Sequence, residues 1–312
     1  MGLEVPNLSM TTYVVWTNHD HSFDFENKTI GIIGGGSSAI QIIPSLQKLT
    51  GTKLKCFIRS KTWISRPFGD AAMKTLGVTR TECEYVWSCM SSINSLTILV
   101  SQEQRQQFAE NSRLYLDLRI TIERDGNSVH ALTHKDSATQ KFVRDDLTAL
   151  MKEKLAKKPP IFDSLLPGFS VACRRLTPGP GYLEALVADN VEFINTPIDR
   201  AESMAVILKD GQRKELDVLV CATGFHTSAP PPFTVTGRDG QTIHQKFNPF
   251  PETYLSLAID GFPNYFMMLG PNAAIGTGPL TTMIERTGDY IIKCIRKLQK
   301  RAFLAWSPKS PG

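Results

Sequence analysis

One stretch constrains this chain more than any other: TIGIIGGGSSAIQIIPSLQKL, residues 29–49, an apolar run that ends in glycines and passes straight into a helical pattern. TIGIIG has the unbroken apolar, β-branched character of a strand buried on both faces in a parallel sheet, and SSAIQIIPSLQKL continues at three- and four-residue steps. TKLKCFIRS follows as a second strand. Strand, glycine turn, helix and strand make the right-handed crossover of a doubly wound α/β sheet. Within the turn, Gly34, Gly36 and Ala39 satisfy the GxGxxG/A spacing. The first glycine permits the tight turn, the second lets backbone approach a pyrophosphate, and the small third residue lets helix and strand pack closely. The helix N-terminus then attracts the anion. A turn of purely structural purpose is the alternative.

The kind of dinucleotide is read about twenty residues further on, where an acid would bond a free ribose 2′-hydroxyl. Between Glu26 and Asp70 the sequence holds no Asp or Glu, and Arg59, Ser60 and Lys61 occupy the second strand end. An arginine fork suits a phosphate dianion. The pattern therefore points to NADPH, against NADH or FAD in this turn, with a solvated basic strand end as the bland alternative.

With 312 residues and 41% hydrophobic content the chain suffices for about two domains. Residues 1–28 have no clear period and are expected to be a lead-in. A helical insert is expected at about 67–160, where SQEQRQQFAENSRLYLDL and KFVRDDLTALMKEKLAKK carry apolar residues at helical steps. The lysines that end it suit any helix C-terminus. A short helix at Tyr182–Val187, strands at VEFI, SMAVILKDGQRKEL (bending at Asp210-Gly211), DVLVCATGF and YFMMLG, and a long helix from about Leu280 to Arg301 complete the expectation.

The net charge of +5 comes from Lys and Arg interspersed with acids, which predicts no nucleic-acid partner and leaves room for an anionic cofactor. Cys56, Cys83, Cys89, Cys173, Cys221 and Cys294 form no CxxC pair and have no histidine at ligand spacing. No metal site or disulfide framework is therefore expected, and a reducing, cytoplasmic setting is. No leader pattern and no run of about 18 apolar residues is present, so a soluble protein without a transmembrane segment is expected. The six histidines read as surface or loop residues.

FENKTIGIIGGGSSAIQIIP, CFIRSKTWISRP, ACRRLTPGPGYLEAL, DVLVCATGF and GFPNYFMMLGPNAAIGTG together resemble the flavin-dependent monooxygenases of the Baeyer–Villiger type, particularly the fungal branch. The resemblance covers most of residues 24–300. It implies FAD and NADPH as cofactors, O2 and a small-molecule ketone as substrates, and an ester or lactone as product; it implies no oligomeric state. The implied organisation is an NADPH domain at 29–215 followed at 216–312 by the C-terminal part of an FAD-domain sheet. By position in the family's motifs, Gly34, Gly36, Ser37, Ser38 and Ala39 would hold the NADPH pyrophosphate, with Arg59, Ser60 and Arg174 around the 2′-phosphate. Arg175 falls where the family places its active-site arginine, whose fixed charge stabilises the anions that develop during oxygen transfer. Gly270 and Asn272 match a flavin-facing loop, and Trp63 either lines the cofactor cleft or packs in the core.

The family's first glycine fingerprint, for FAD, has no counterpart in the chain, and neither does its FxGxxxHxxxW signature. DVLVCAT and YFMMLG are accordingly expected to belong to a sheet whose other strands are missing, so that either the sequence is truncated or another chain completes it. Two other readings stay open: a catalytically incomplete nucleotide-binding homologue, and a single-cofactor NADPH reductase.

Overall fold

The computed structural model describes residues 12–15, 23–66, 102–128, 131–132, 134, 136–174, 176–224, 230–273, 280–302, 305 and 307–308. Arg175, the first part of the helical insert, Cys83, Cys89, His19, His21, His130, His226 and the end of GPNAAIGTG lie outside them. The chain divides into two compact units, Met1–Gly224 and Phe225–Gly312.

In the first unit, strands β1 (Thr12–Val15), β2 (Thr29–Ile33), β3 (Lys53–Phe57), β6 (Val191–Ile194) and β10 (Val218–Cys221) form one parallel sheet in the order β1-β10-β2-β3-β6. Between β2 and β3 lies α1 (Ser37–Gln47), so the crossover expected from the sequence is present. It forms because Ile30 and Ile32 on β2 and Ile40, Ile42, Ile43 and Leu46 on α1 are all buried in one core. Each such side chain contributes about 1.5–3 kcal/mol on leaving water. Pro44, inside α1, is buried against Gly181, where its missing N–H costs one helical bond.

The short strands β4 (Ile64–Ser65) and β5 (Thr177–Pro178) pair parallel with each other, and β7 (Ile198–Glu202), β8 (Ala205–Leu208) and β9 (Arg213–Glu215) form an antiparallel meander. Its second bend is the expected Asp210-Gly211 turn: Gly211 has a φ of +85°, and the Asp210 carboxylate accepts from the Gln212 N–H at 3.0 Å. The described part of the insert is helical, with α2 (Gln102–Glu110), α3 (Ser112–Ser128), α4 (Ala138–Lys154) and α5 (Pro159–Leu165), and α6 (Tyr182–Leu186) follows β5.

Three expectations are corrected. Residues 1–28 are not a lead-in throughout, since Thr12–Val15 pairs in register with Val218–Cys221 at the sheet edge. Val218–Cys221 does not wait for a sheet of its own; β10 lies beside β2, and the Asp217 carboxylate accepts from the Thr29 N–H at 2.7 Å while the Asp217 N–H donates to Thr29 O at 2.8 Å. Both pairings join residues far apart in sequence, which local pattern cannot reveal. Tyr265–Gly270 is not a strand: Asn264 and Leu269 have φ of +61° and +52°, which breaks the extended run.

The second unit has its own core of Ile243, Phe247, Ile259 and Phe262. It contains α7 (Ile243–Lys246), opened by a Thr242/Gln245 capping box, and the long α8 (Leu280–Lys300). Among the described residues no helix is long and apolar enough to cross a membrane.

Candidate functional site

The glycine turn sits where two strand ends converge. Gly34 has a φ of +131°, and a Cβ there would collide with the carbonyl oxygen of Ala222, the residue after β10. Its N–H donates to Phe57 O at 3.1 Å, and Ala222 N–H donates to Ile33 O at 2.9 Å, so the turn is tied to β3 and β10 together. Gly36 is the N-cap of α1 and differs in kind: a Cβ there would meet nothing within 4 Å, and no side chain caps the helix. The first N–H groups of α1 are left to an outside acceptor at the positive end of the helix dipole. Ser37 is exposed, Ser38 half-buried, and Ala39 wholly buried, which lets α1 lie close on the sheet.

A basic rim follows β3. A Cβ at Gly35 would stand 3.5 Å from Ser60 O, so the Arg59-Ser60 segment runs beside the turn. Both residues are exposed, and Arg59 has no ion-pair or hydrogen-bond partner among the described residues. Lys61 is engaged, its Nζ donating to Asp163 O at 3.2 Å.

The loop before β5 is the third wall. Trp63 is 4% exposed and its indole N–H donates to Phe169 O at 3.0 Å, so it is a core residue that ties this loop down. Arg174 is exposed, with its guanidinium 5.1 Å from the centre of the Phe169 ring, a cation–π contact. Beyond Arg175, β5 pairs Thr177 with Ile64 and Pro178 with Ser65, and the Thr177 hydroxyl lies 3.0 Å from that of Ser37. The structure thus gathers the turn, the Arg59 segment and the Arg174 loop. Thr177 was not singled out in the sequence, because only the pairing of β4 with β5 brings it to the turn.

Beneath this surface, burial pushes the Cys56 thiol up to about 12 and raises the Tyr182 phenol well above its ordinary value. The hydroxyls of Tyr182 and Ser65 are buried with no hydrogen-bond partner among the described residues. Neither group is placed to exchange protons with solvent.

Gly270 and Asn272 belong to the second unit, and both have a structural account. Gly270 is buried, its N–H donates to Ser256 O at 3.0 Å, and a Cβ would collide with that oxygen. Asn272 has a φ of +70° and its side-chain amide donates to Pro251 O at 3.3 Å. His134 and His244 are exposed, and no cluster of three metal-ligating residues occurs among the described residues. The donor set of the first unit fits NADPH: a helix end without a side-chain cap, an open glycine and a guanidinium with no partner among the described residues. The described residues of the second unit form no comparable turn for the pyrophosphate of FAD.

No protein-family model matches the chain. The FAD-binding monooxygenase tazF of Aspergillus terreus is 35% identical over 280 residues, which cover 89% of this chain and 46% of that protein. The FAD-binding monooxygenase stcW of Emericella nidulans is 28% identical over 94% of this chain and 45% of its own length. Among solved structures, a steroid monooxygenase bound to NADP superimposes with a TM-score of 0.66 at 24% identity, covering 99% of this chain and 61% of that one. The OTEMO complex with FAD and NADP gives a TM-score of 0.70 at 20% identity, covering 98% and 59%. The chain spans about half the length of the curated relatives it matches. By sequence the chain is a homologue of fungal FAD-binding monooxygenases, and it shares the Rossmann-like fold of the steroid monooxygenase and OTEMO structures.

Proposed function

We propose that the chain serves an NADPH- and FAD-dependent monooxygenase that inserts one oxygen atom of O2 into an organic ketone, and that its first unit is the NADPH-binding part. The observation that carries this is the open Gly36 turn beside Arg59, which has no ion-pair or hydrogen-bond partner among the described residues, in a chain 35% identical to a FAD-binding monooxygenase. In this reading the α1 N–H groups, Ser37 and Ser38 hold the pyrophosphate, Gly34 and Ala39 shape the turn, and Arg59, Ser60 and Arg174 take the 2′-phosphate. The NADPH domain runs to the end of the first unit at Gly224, since β10 belongs to its sheet, and the return to the flavin domain follows, with Gly270 and Asn272 in its loop. Bound NADPH supplies the hydride and bound FAD the oxygen-activating ring. Arg175 holds a fixed positive charge where negative charge develops on oxygen. A cytoplasmic setting belongs to the same proposal, supported by the free thiols of Cys56, Cys173, Cys221 and Cys294.

The test is nucleotide choice. NADPH binds the purified chain well ahead of NADH, and Arg59→Ala weakens NADPH by about ten- to a hundredfold, the worth of a charge-assisted contact, while leaving NADH nearly unchanged. Equal binding of the two nucleotides by the unmutated chain overturns the assignment. For the oxygenation step, in protein whose flavin site is completed by a homologous FAD-binding segment, Arg175→Ala lowers ester formation by roughly a hundred- to a thousandfold while NADPH oxidation continues. Ester formation at the unmutated rate removes Arg175 from the reaction.

A further inference from the structure

We infer that Thr177 is a positioning residue for nucleotide binding, which orients the Ser37 hydroxyl towards the pyrophosphate; this rests on the NADPH reading of the glycine turn. The Ser37 and Thr177 hydroxyls are 3.0 Å apart, and either can donate in the free protein. A phosphate oxygen removes that ambiguity, because it only accepts. Ser37, at the first position of α1 and next to the open Gly36, spends its one proton on the phosphate, so its lone pairs are left to accept. Thr177 is the donor in place. The result is a directed chain from Thr177 O–H to Ser37 Oγ, and from Ser37 O–H to phosphate, in which each bond polarises the next.

Two features of the fold make Thr177 suited to this. Its backbone is fixed by the β4–β5 pairing, with Thr177 opposite Ile64 and the Gly179 N–H donating to Ser65 O at 3.4 Å. Its β-branched side chain has few χ1 choices, so a fixed backbone also confines the hydroxyl. Both hydroxyls face solvent in the free protein. Water competes for them there, and a dinucleotide lying over the turn excludes that water and lets the pair strengthen. The same residue ends the loop that carries Arg174, so one hydrogen bond couples the turn to the loop.

The experiment titrates the full chain with NADPH and with NADH by nucleotide fluorescence, using Thr177→Val, Thr177→Ser, Ser37→Ala and the Ser37→Ala/Thr177→Val double variant. Thr177→Val, which keeps the shape and loses the hydroxyl, weakens both nucleotides by the same factor, about three- to tenfold. Thr177→Ser recovers most of the affinity, and the double variant binds no more weakly than Ser37→Ala alone. Unchanged affinity in Thr177→Val, or losses that multiply in the double variant, overturns the inference. A loss confined to NADPH also overturns it, since that would place Thr177 at the 2′-phosphate. Gly36→Val separates the two levels: if this side chain, placed in the pyrophosphate space, leaves NADPH binding intact, the NADPH reading of the turn fails, and Thr177 with it. If Gly36→Val abolishes binding while Thr177→Val changes nothing, only the role of Thr177 fails.

Discussion

Cys56 and Tyr182 show what burial does to single residues in this fold. Both are completely buried, and both are shifted upwards because an anion there would have no water around it. The folded thiol, at about 12, stays protonated over a range in which the unfolded thiol, near 9, ionises. The unfolded chain is then the one that loses its proton, so this contribution to stability is complete below about pH 9 and is lost between about pH 9 and pH 12. Tyr182 acts in the same direction. Urea melts over that alkaline range should show stability falling by up to about 1.4 kcal/mol per pH unit for each group, and Cys56→Ala should make the fall shallower. An identical slope in that variant would mean that Cys56 is not the group responsible. The identity of these residues was plain in the sequence, but their burial was not, because it depends on α1 and α6 closing over β3.

At the scale of the element, the glycine turn separates into a part that makes structure and a part that leaves space. Gly34→Ala meets both a positive φ and the Ala222 carbonyl, and should cost about 3 kcal/mol, the upper end for a strained backbone position, seen as a lowered midpoint in thermal melts. Gly36→Val, with open space around it, should cost only about 1 kcal/mol as a poorer N-cap while removing nucleotide binding. A Gly34→Ala protein as stable as the unmutated one would show that β10 does not press on the turn. This element was legible in the sequence almost in full, since strand, turn and helix are local and each has its own period. The strand expected at Tyr265–Gly270 was misread for the same reason in reverse. Its apolar run gives no sign of the positive φ at Asn264 and Leu269 that bends it.

For the whole molecule, the two units carry unequal amounts of the chemistry. The first offers an anion site with named donors, and the described residues of the second use Gly270 and Asn272 to hold their own turns. The 312-residue chain by itself is therefore expected to bind FAD weakly while still binding NADPH. Titration with FAD should give little saturable change in flavin fluorescence, and stoichiometric flavin in the purified chain would overturn this. The position of β10 has a further consequence, for the order of assembly during synthesis. The strand that closes one flank of β2 is joined to it through Asp217 and Thr29, 188 residues apart. At about 5–20 residues per second, a ribosome exposes the glycine turn roughly 10 to 40 s before the strand that braces it. For that interval β2 has a free edge on one side and Gly34 has no Ala222 to press against. The nucleotide turn leaves the ribosome well before the strand that makes it rigid.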